Sequence, residues 1–176
     1  MARKREVYLV DGYNVINSWP ELLRLKNQIG EARHELTQEL VEYAAYEKYD
    51  MTLVFDALFT DDEERAEKHG AHFTVIYTGA GETADSCIER LAYDFVREGR
   101  EVHVVTSDGA EQSVILGAGA YRIPSLEFRK IVKRTRKALH KEFVGHTHPT
   151  VARLDVEERL DRDTVRRLDE LRKQRH

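Results

Sequence analysis

The sequence predicts an α/β fold built on a central, mainly parallel β-sheet. Three observations lead there. Short apolar runs alternate with longer helical stretches along the whole body of the chain. Those runs are continuous rather than strictly alternating, the pattern of strands covered on both faces. The connections between them are short, and no internal repeat or low-complexity linker interrupts them.

The elements follow in order. Val7–Val10 is the first strand; it breaks off at Asp11, with Gly12, Tyr13 and Asn14 directly behind. Ala32 to Lys48 places Leu36, Leu40, Tyr43 and Ala44 on one helical face. Thr52–Phe55 is the second strand and ends in Asp56. A short acidic helix is expected over 61–69. His72–Thr78 is the third strand and runs into "TGAGETAD", which brings Asp85 to the first turn of a helix. That helix, Thr83 to Glu98, aligns Ala84, Ile88, Leu91, Ala92 and Phe95, and Gly99 is its natural stop. Glu101–Thr106 is the fourth strand, closed by Ser107 and Asp108. Gly109 to Leu116 is expected as a short helix and Ala120–Pro124 as a weaker fifth strand. From about Leu126 the chain reads as one or two long charged helices, with a hinge at "VGHTHPTV". The expected organisation is a domain over 1–145 that includes a basic helix at about 126–143, then a charged helical extension over 146–176.

Bulk properties narrow the function classes. The 176 residues are 41% hydrophobic and 34% charged, which suits one soluble domain with a tail. No window approaches the roughly 18 apolar residues that a membrane span needs. The apolar run behind the basic N-terminus is too short for a signal peptide, so the cytoplasm is the expected location. The lone Cys87 excludes an intramolecular disulfide and a cysteine-based zinc cluster, and it reads as a small buried hydrophobe. The net charge of −4 hides an asymmetry. Residues 1–125 carry 13 Lys+Arg against 23 Asp+Glu, and residues 126–176 carry 15 against 9. Acidic groups in the body can gather around a cation, and basic groups in the tail can meet a polyanion.

In an open parallel sheet the carboxyl ends of the strands face one crevice, and ligands bind there. Asp11, Asp56, Asp85 and Asp108 come from four separate connections at that edge. Converging carboxylates repel one another, and a hard divalent cation resolves the conflict. A pocket of carboxylates without cysteine or a close histidine pair favours Mg²⁺ or Mn²⁺ over zinc. The chemistry that fits is phosphodiester hydrolysis. Each residue also has a plainer role. Asp11 with Gly12 can be a turn. Asp85 can simply face a helix dipole. Asp108 with Glu111 has the form of a helix cap, and Asp56 can be structural. Glu89, one helical turn after Asp85, can be a ligand, orient one, or pair with Arg90. Asn14 can hold Asp11, contact a phosphate, or serve in a cap.

The stretches "LVDGYNVINSWPEL", "TLVFDA", "TGAGETADSCIERLA" and "VVTSDGAEQ" resemble the YacP-like branch of the NYN-domain ribonucleases, within the wider PIN-like nuclease class. The resemblance runs in order from about Val7 to Phe143. It implies a PIN-like (NYN) three-layer fold and a metal-dependent endoribonuclease, and some members of the family are associated with ribosomes and mRNA cleavage. Carried onto this chain, the acidic site would be Asp11, Asp85 and Asp108, with Asn14 and Asp56 in support. The resemblance adds RNA as substrate where the residues alone suggest only a phosphodiester.

"FRKIVKRTRKALHKEF" supplies Arg129, Lys130, Lys133, Arg134, Arg136, Lys137 and Lys141 around a helix whose Phe128, Ile131, Val132, Ala138 and Leu139 can face the body. It is expected to contact RNA or the ribosome, unless it is only a solvated face. Tyr13 and the "SWPEL" segment offer aromatic surfaces on which single-stranded bases could stack, or Trp19 and Pro20 simply close the first loop. Two other functions stay open. One is an RNA- or ribosome-binding module with a degenerate site. The other is a small-molecule phosphohydrolase with Asp11 as nucleophile; Tyr13 stands where that chemistry usually has a second aspartate.

Overall fold

The computed structural model describes residues 4–57, 64–109, 115 and 117–146. Its element order is β1 (Val7–Asp11), α1 (Gly12–Ser18), α2 (Pro20–Leu23), α3 (Ile29–Glu47), β2 (Asp50–Phe55), β3 (Arg65–Lys68), β4 (Phe73–Tyr77), α4 (Ala84–Arg97), β5 (Val102–Val105), β6 (Tyr121–Ile123) and α5 (Ser125–His146). The six strands form one sheet in the order β3-β4-β2-β1-β5-β6. Every pairing is parallel except β3 with β4.

The continuous apolar runs are buried on both faces, as their composition demands. Tyr8, Val10, Leu53, Phe55 and Val105 pack with residues of α1, α2, α3 and the start of α5. The alternate positions Val7, Leu9, Val54, Val102 and Val104 pack with Ala84, Cys87, Ile88 and Ala92 of α4 on the other face. The result is a three-layer α/β arrangement, as expected. Cys87 is a buried free thiol. Phe128 and Val132 of α5 are buried against the first layer, whereas Ile131 is exposed.

The expected helix over 61–69 is partly corrected. Residues 65–68 form strand β3, antiparallel to β4, while 58–63 lie outside the described residues. "RAEK" is exposed along its whole length, so no apolar pattern announces it. It is an edge strand held by backbone pairing, and its charges suit an edge that must not recruit other strands. Most of the helix expected over 109–116 also lies outside the described residues.

A compact unit closes at Arg136, and a second begins at Lys137. Among the described residues no helix is long and apolar enough to cross a membrane.

Candidate active site

Topology sets the location. The chain leaves β1 into α1 on one face of the sheet, and the segment after β5 brings Ile115 to the opposite face. β1 and β5 are neighbours. A crevice therefore opens between their carboxyl ends, at the point where the connections diverge.

Alternation along the strands decides which carboxylates turn toward it. Asp11 is in phase with Val7 and Leu9, and Asp56 with Val54, so both are directed to the α4 layer. Asp11 is also the N-cap of α1 and accepts a hydrogen bond from the Asn14 amide at 3.1 Å. The Asp56 carboxylate accepts one from the Ala84 amide at 3.4 Å, at the start of α4. Thr83 caps that helix through the Ser86 amide at 3.1 Å, which leaves Asp85 exposed in its first turn. Asp108 follows the end of β5, and its amide donates to Thr106 Oγ1 at 3.2 Å.

Electrostatics report the convergence. Burial pushes the Asp11 carboxyl up to about 6, against the pull of the Asn14 amide, and the charges of Asp85, Asp56 and Asp108 push it further in the same direction. The other three aspartates thus lie within electrostatic reach of Asp11, although no three of the four bring ligand oxygens within 4.8 Å of one another. Glu89 is exposed on α4 one turn beyond Asp85, where it lines a groove of about 510 Å³ with Ser86, Arg90 and Tyr93.

Gly12 owes its place to space. A Cβ there would lie 2.3 Å from the Phe55 ring, so only glycine lets α1 start directly over that side chain. Its backbone is not in the left-handed region, and the sequence-based picture of a glycine needed for a tight turn gives way to one of close packing.

Asn14 is a tie between distant segments. Its Oδ1 accepts from the Ser107 amide at 2.9 Å and from the Ser125 hydroxyl at 2.6 Å. The Ser125 amide donates to Ser107 Oγ at 3.2 Å, and Trp19 Nε1 donates to the Ser125 carbonyl at 2.8 Å. The junction holds α1, the β5 exit and the start of α5 together beneath Asp11 and Asp108. Sequence reading missed Ser125 entirely. It also offered Trp19 as a stacking surface; Trp19 is fully buried and closes the first loop.

The basic helix divides into two sets. Arg129 pairs with Glu21 at 2.8 Å, Lys133 with Glu21 at 2.9 Å and Glu39 at 2.7 Å, and Arg136 with Glu39 at 3.7 Å. Burial alone would raise the Glu21 carboxyl, but its bonds from Lys133 and Arg129 hold it below the usual range. Arg129 and Lys133 are half-buried against the body, whereas Arg136 is 65% exposed. Lys130, Arg134, Lys137 and Lys141 are exposed.

A second group of ionisable side chains sits at the opposite edge of the sheet. His103 Nε2 lies 3.4 Å from Glu6 and 3.3 Å from Glu101, at the amino ends of β1 and β5. The oxygens and nitrogen of this group are close enough for a cation, but it is separated from Asp11 by the length of the strands.

Comparison with known proteins gives the family and the fold. The family model described as "YacP-like NYN domain" matches residues 8–173. A protein of Bacillus subtilis (strain 168) named "Uncharacterized protein YacP" is 39% identical over 150 residues, covering 80% of this chain and 87% of that protein. The crystal structure of Rae1 (YacP) from Bacillus subtilis superposes with a TM-score of 0.72 at 32% identity, over 96% of this chain and 95% of that one. A tryptophan-to-leucine mutant of the same Bacillus subtilis protein gives 0.72 at 34% identity, over 93% and 96%. The chain belongs to the YacP-like NYN domain family.

Proposed function

We propose that this protein is a Mg²⁺- or Mn²⁺-dependent endoribonuclease acting on mRNA in a ribosome-associated setting. The family is of the PIN-like nuclease type, which supports the reaction class. The observation that supports the reading is that Asp56, Asp85 and Asp108, each from a different connection, lie within electrostatic reach of Asp11.

The donor set fits a hard divalent cation. All the converging groups are carboxylates, and their mutual repulsion is what an added positive charge relieves. When bound, such a cation activates water and offsets charge on the phosphorus. Asp11, Asp85 and Asp108 would hold it, with Asp56 behind them and Glu89 one turn further along α4. Asp11 would act as a ligand in its ionised form, which prevails above about pH 6. Asn14 acts as a positioning residue, because its Oδ1 fixes the β5 exit that carries Asp108. Exposed Lys130, Arg134, Lys137 and Lys141 supply phosphate contacts that position a polyanion without specifying its sequence.

The test is cleavage of a translated mRNA in a reconstituted translation mixture, comparing wild type with Asp85→Asn, with and without Mn²⁺, and repeating the digestion without ribosomes. Cuts made by wild type alone are expected, and more of them when ribosomes are present. If wild type makes no cuts while both proteins co-sediment with ribosomes, the protein is a binding module and the nuclease reading fails.

A further inference from the structure

The acidic body carries one groove of the opposite character. It lies between α3 and the β3–β4 edge of the sheet, with a volume of about 230 Å³, and Arg33, His34, His69 and Tyr77 line it together with a single carboxylate, Glu67. Arg65 stands beside it, directly across the strand pair from Tyr77. Both guanidiniums rest on the same ring: the Arg65 carbon is 4.4 Å from the Tyr77 centroid and that of Arg33 is 5.6 Å away. Arg65 is 64% exposed and pairs with Glu67 at 3.3 Å. Two guanidiniums and two imidazoles against one carboxylate are the reverse of a body that has ten more acidic than basic residues over 1–125.

The groove adjoins the aspartate edge. Arg33 donates to the Tyr13 hydroxyl at 3.3 Å, and Tyr13 is two residues from Asp11. Tyr77 is paired with Phe55, the residue before Asp56. Tyr13 and Tyr77, both half-buried, flank the fully buried Phe55, with ring centroids 5.1 Å and 5.6 Å from it, and so link α1 to the groove. The aspartates are directed to the α4 side and the groove lies on the α3 side, so a polyanion with one phosphate among the aspartates would reach the groove by crossing the carboxyl edge of the sheet past Tyr13 and Tyr77.

We propose that this groove is the subsite for the single-stranded RNA flanking the scissile phosphate, with Arg33 contacting phosphate and Arg65, held over the Tyr77 ring, supporting a base. The proposal rests on the ribonuclease reading for the identity of its ligand. The chemistry favours RNA over an acidic peptide. A guanidinium forks onto phosphate oxygens, and a guanidinium plane held against an aromatic ring stacks with an unpaired base. A peptide would use the charge alone. The aspartates repel the strand at the centre of the site, so a cationic flank is what keeps it in place.

The experiment measures binding of a fluorescein-labelled single-stranded oligoribonucleotide of about 12 nucleotides, long enough to span such a site. Asp85→Asn serves as the parent protein, so that the probe stays intact, and the same protein with Arg33→Gln and Arg65→Gln is compared with it. Melting curves check that both are folded. Expected are a fall in affinity of about tenfold or more and a salt slope shallower by about 0.7, for the one single-strand phosphate that Arg33 no longer neutralises. Tyr77→Leu is expected to weaken binding while Tyr77→Phe does not, because the ring and not the hydroxyl carries Arg65. In otherwise wild-type protein, the arginine pair of substitutions should raise KM with little change in kcat. Unchanged affinity and salt slope in the double variant would overturn the subsite. So would equal binding of a poly-glutamate peptide of the same charge. Absence of cleavage by wild type, with the arginine-dependent RNA binding intact, would instead remove the nuclease reading and leave the subsite standing.

Discussion

The two ends of the sheet use the same residue types to opposite effect. At the amino edge, Asp50 receives Arg100 and also His72 at 2.7 Å, and His103 stands between Glu6 and Glu101. Each carboxylate there has a cation or an imidazole facing it. At the carboxyl edge, the charges of Asp85, Asp56 and Asp108 act on Asp11, and the hydrogen bonds received by Asp11 and Asp56 come from backbone amides. Acidic density alone therefore says little about function. A carboxylate paired with a guanidinium, as Asp50 is with Arg100, anchors the fold, whereas carboxylates drawn toward one another raise a demand for a cation.

The sharpest way to break this comparison is to remove one carboxylate from each end. Asp85→Asn and Asp108→Asn are expected to reduce RNA cleavage by at least about a thousandfold, the scale at which loss of transition-state charge stabilisation is felt, with no loss of thermal stability. Asp50→Asn is expected to cleave at the wild-type rate. Comparable losses at both ends in a gel-based cleavage assay would erase the distinction.

Cation binding gives the next largest effect. Near neutral pH, Mn²⁺ at about a hundred times its Kd should raise stability by about 2–3 kcal/mol. The effect should shrink at about pH 5, because the Asp11 carboxyl, pushed up to about 6, holds its proton there and competes with the ion. Calorimetric melting curves that show an equal rise at both pH values would contradict the assignment of Asp11 as a ligand.

Stability separates the two ends in opposite directions. Asp50→Asn leaves the Arg100 guanidinium, only 14% exposed, without its carboxylate, and should cost about 2 kcal/mol. Asp11→Asn should instead stabilise the metal-free protein by about 1 kcal/mol near neutral pH. The sign follows from linkage. The folded-state carboxyl titrates at about 6, above its unfolded value, so the stability tied to its protonated form is present at low pH and is lost as pH rises through about 6. Asparagine can still accept the cap bond from the Asn14 amide and carries no charge at any pH. The gain should vanish below about pH 4, where aspartate is neutral in both states. Denaturant titrations at the two pH values measure it, and a destabilised variant at neutral pH would mean that Asp11 is held by more than its cap.

Much of the architecture was legible because its signals are local. Val7–Val10, Thr52–Phe55 and Glu101–Thr106 are apolar runs, and burial on both faces of a parallel sheet requires such runs. The spacing of Leu36, Leu40 and Tyr43, and that of Ala84, Ile88 and Ala92, repeats within a few residues of itself, so each helix declares its own buried face. The aspartates were visible for the same reason: each stands at or just beyond the end of a strand, or in the first turn of a helix. β3 was not visible, because an exposed edge strand is defined by backbone bonds to β4 and carries no apolar period. Nor could the basic helix reveal that Arg129 and Lys133 were committed, since Glu21 and Glu39 approach it from α2 and α3.

The sequence by itself determined the fold class, the strand-end positions of the four aspartates and the excess of positive charge after residue 125. These depend on interactions between near neighbours along the chain and on periods of two or 3.6 residues. Only the tertiary structure decided that Asp56, Asp85 and Asp108 come within electrostatic reach of Asp11, that Asn14 ties Ser107 to Ser125, that Trp19 is buried, and that Arg33 and Arg65 meet over Tyr77. Those contacts join residues far apart in sequence. Their energies come from burial and from charges brought close in a medium of low polarisability, and neither exists until the layers have packed.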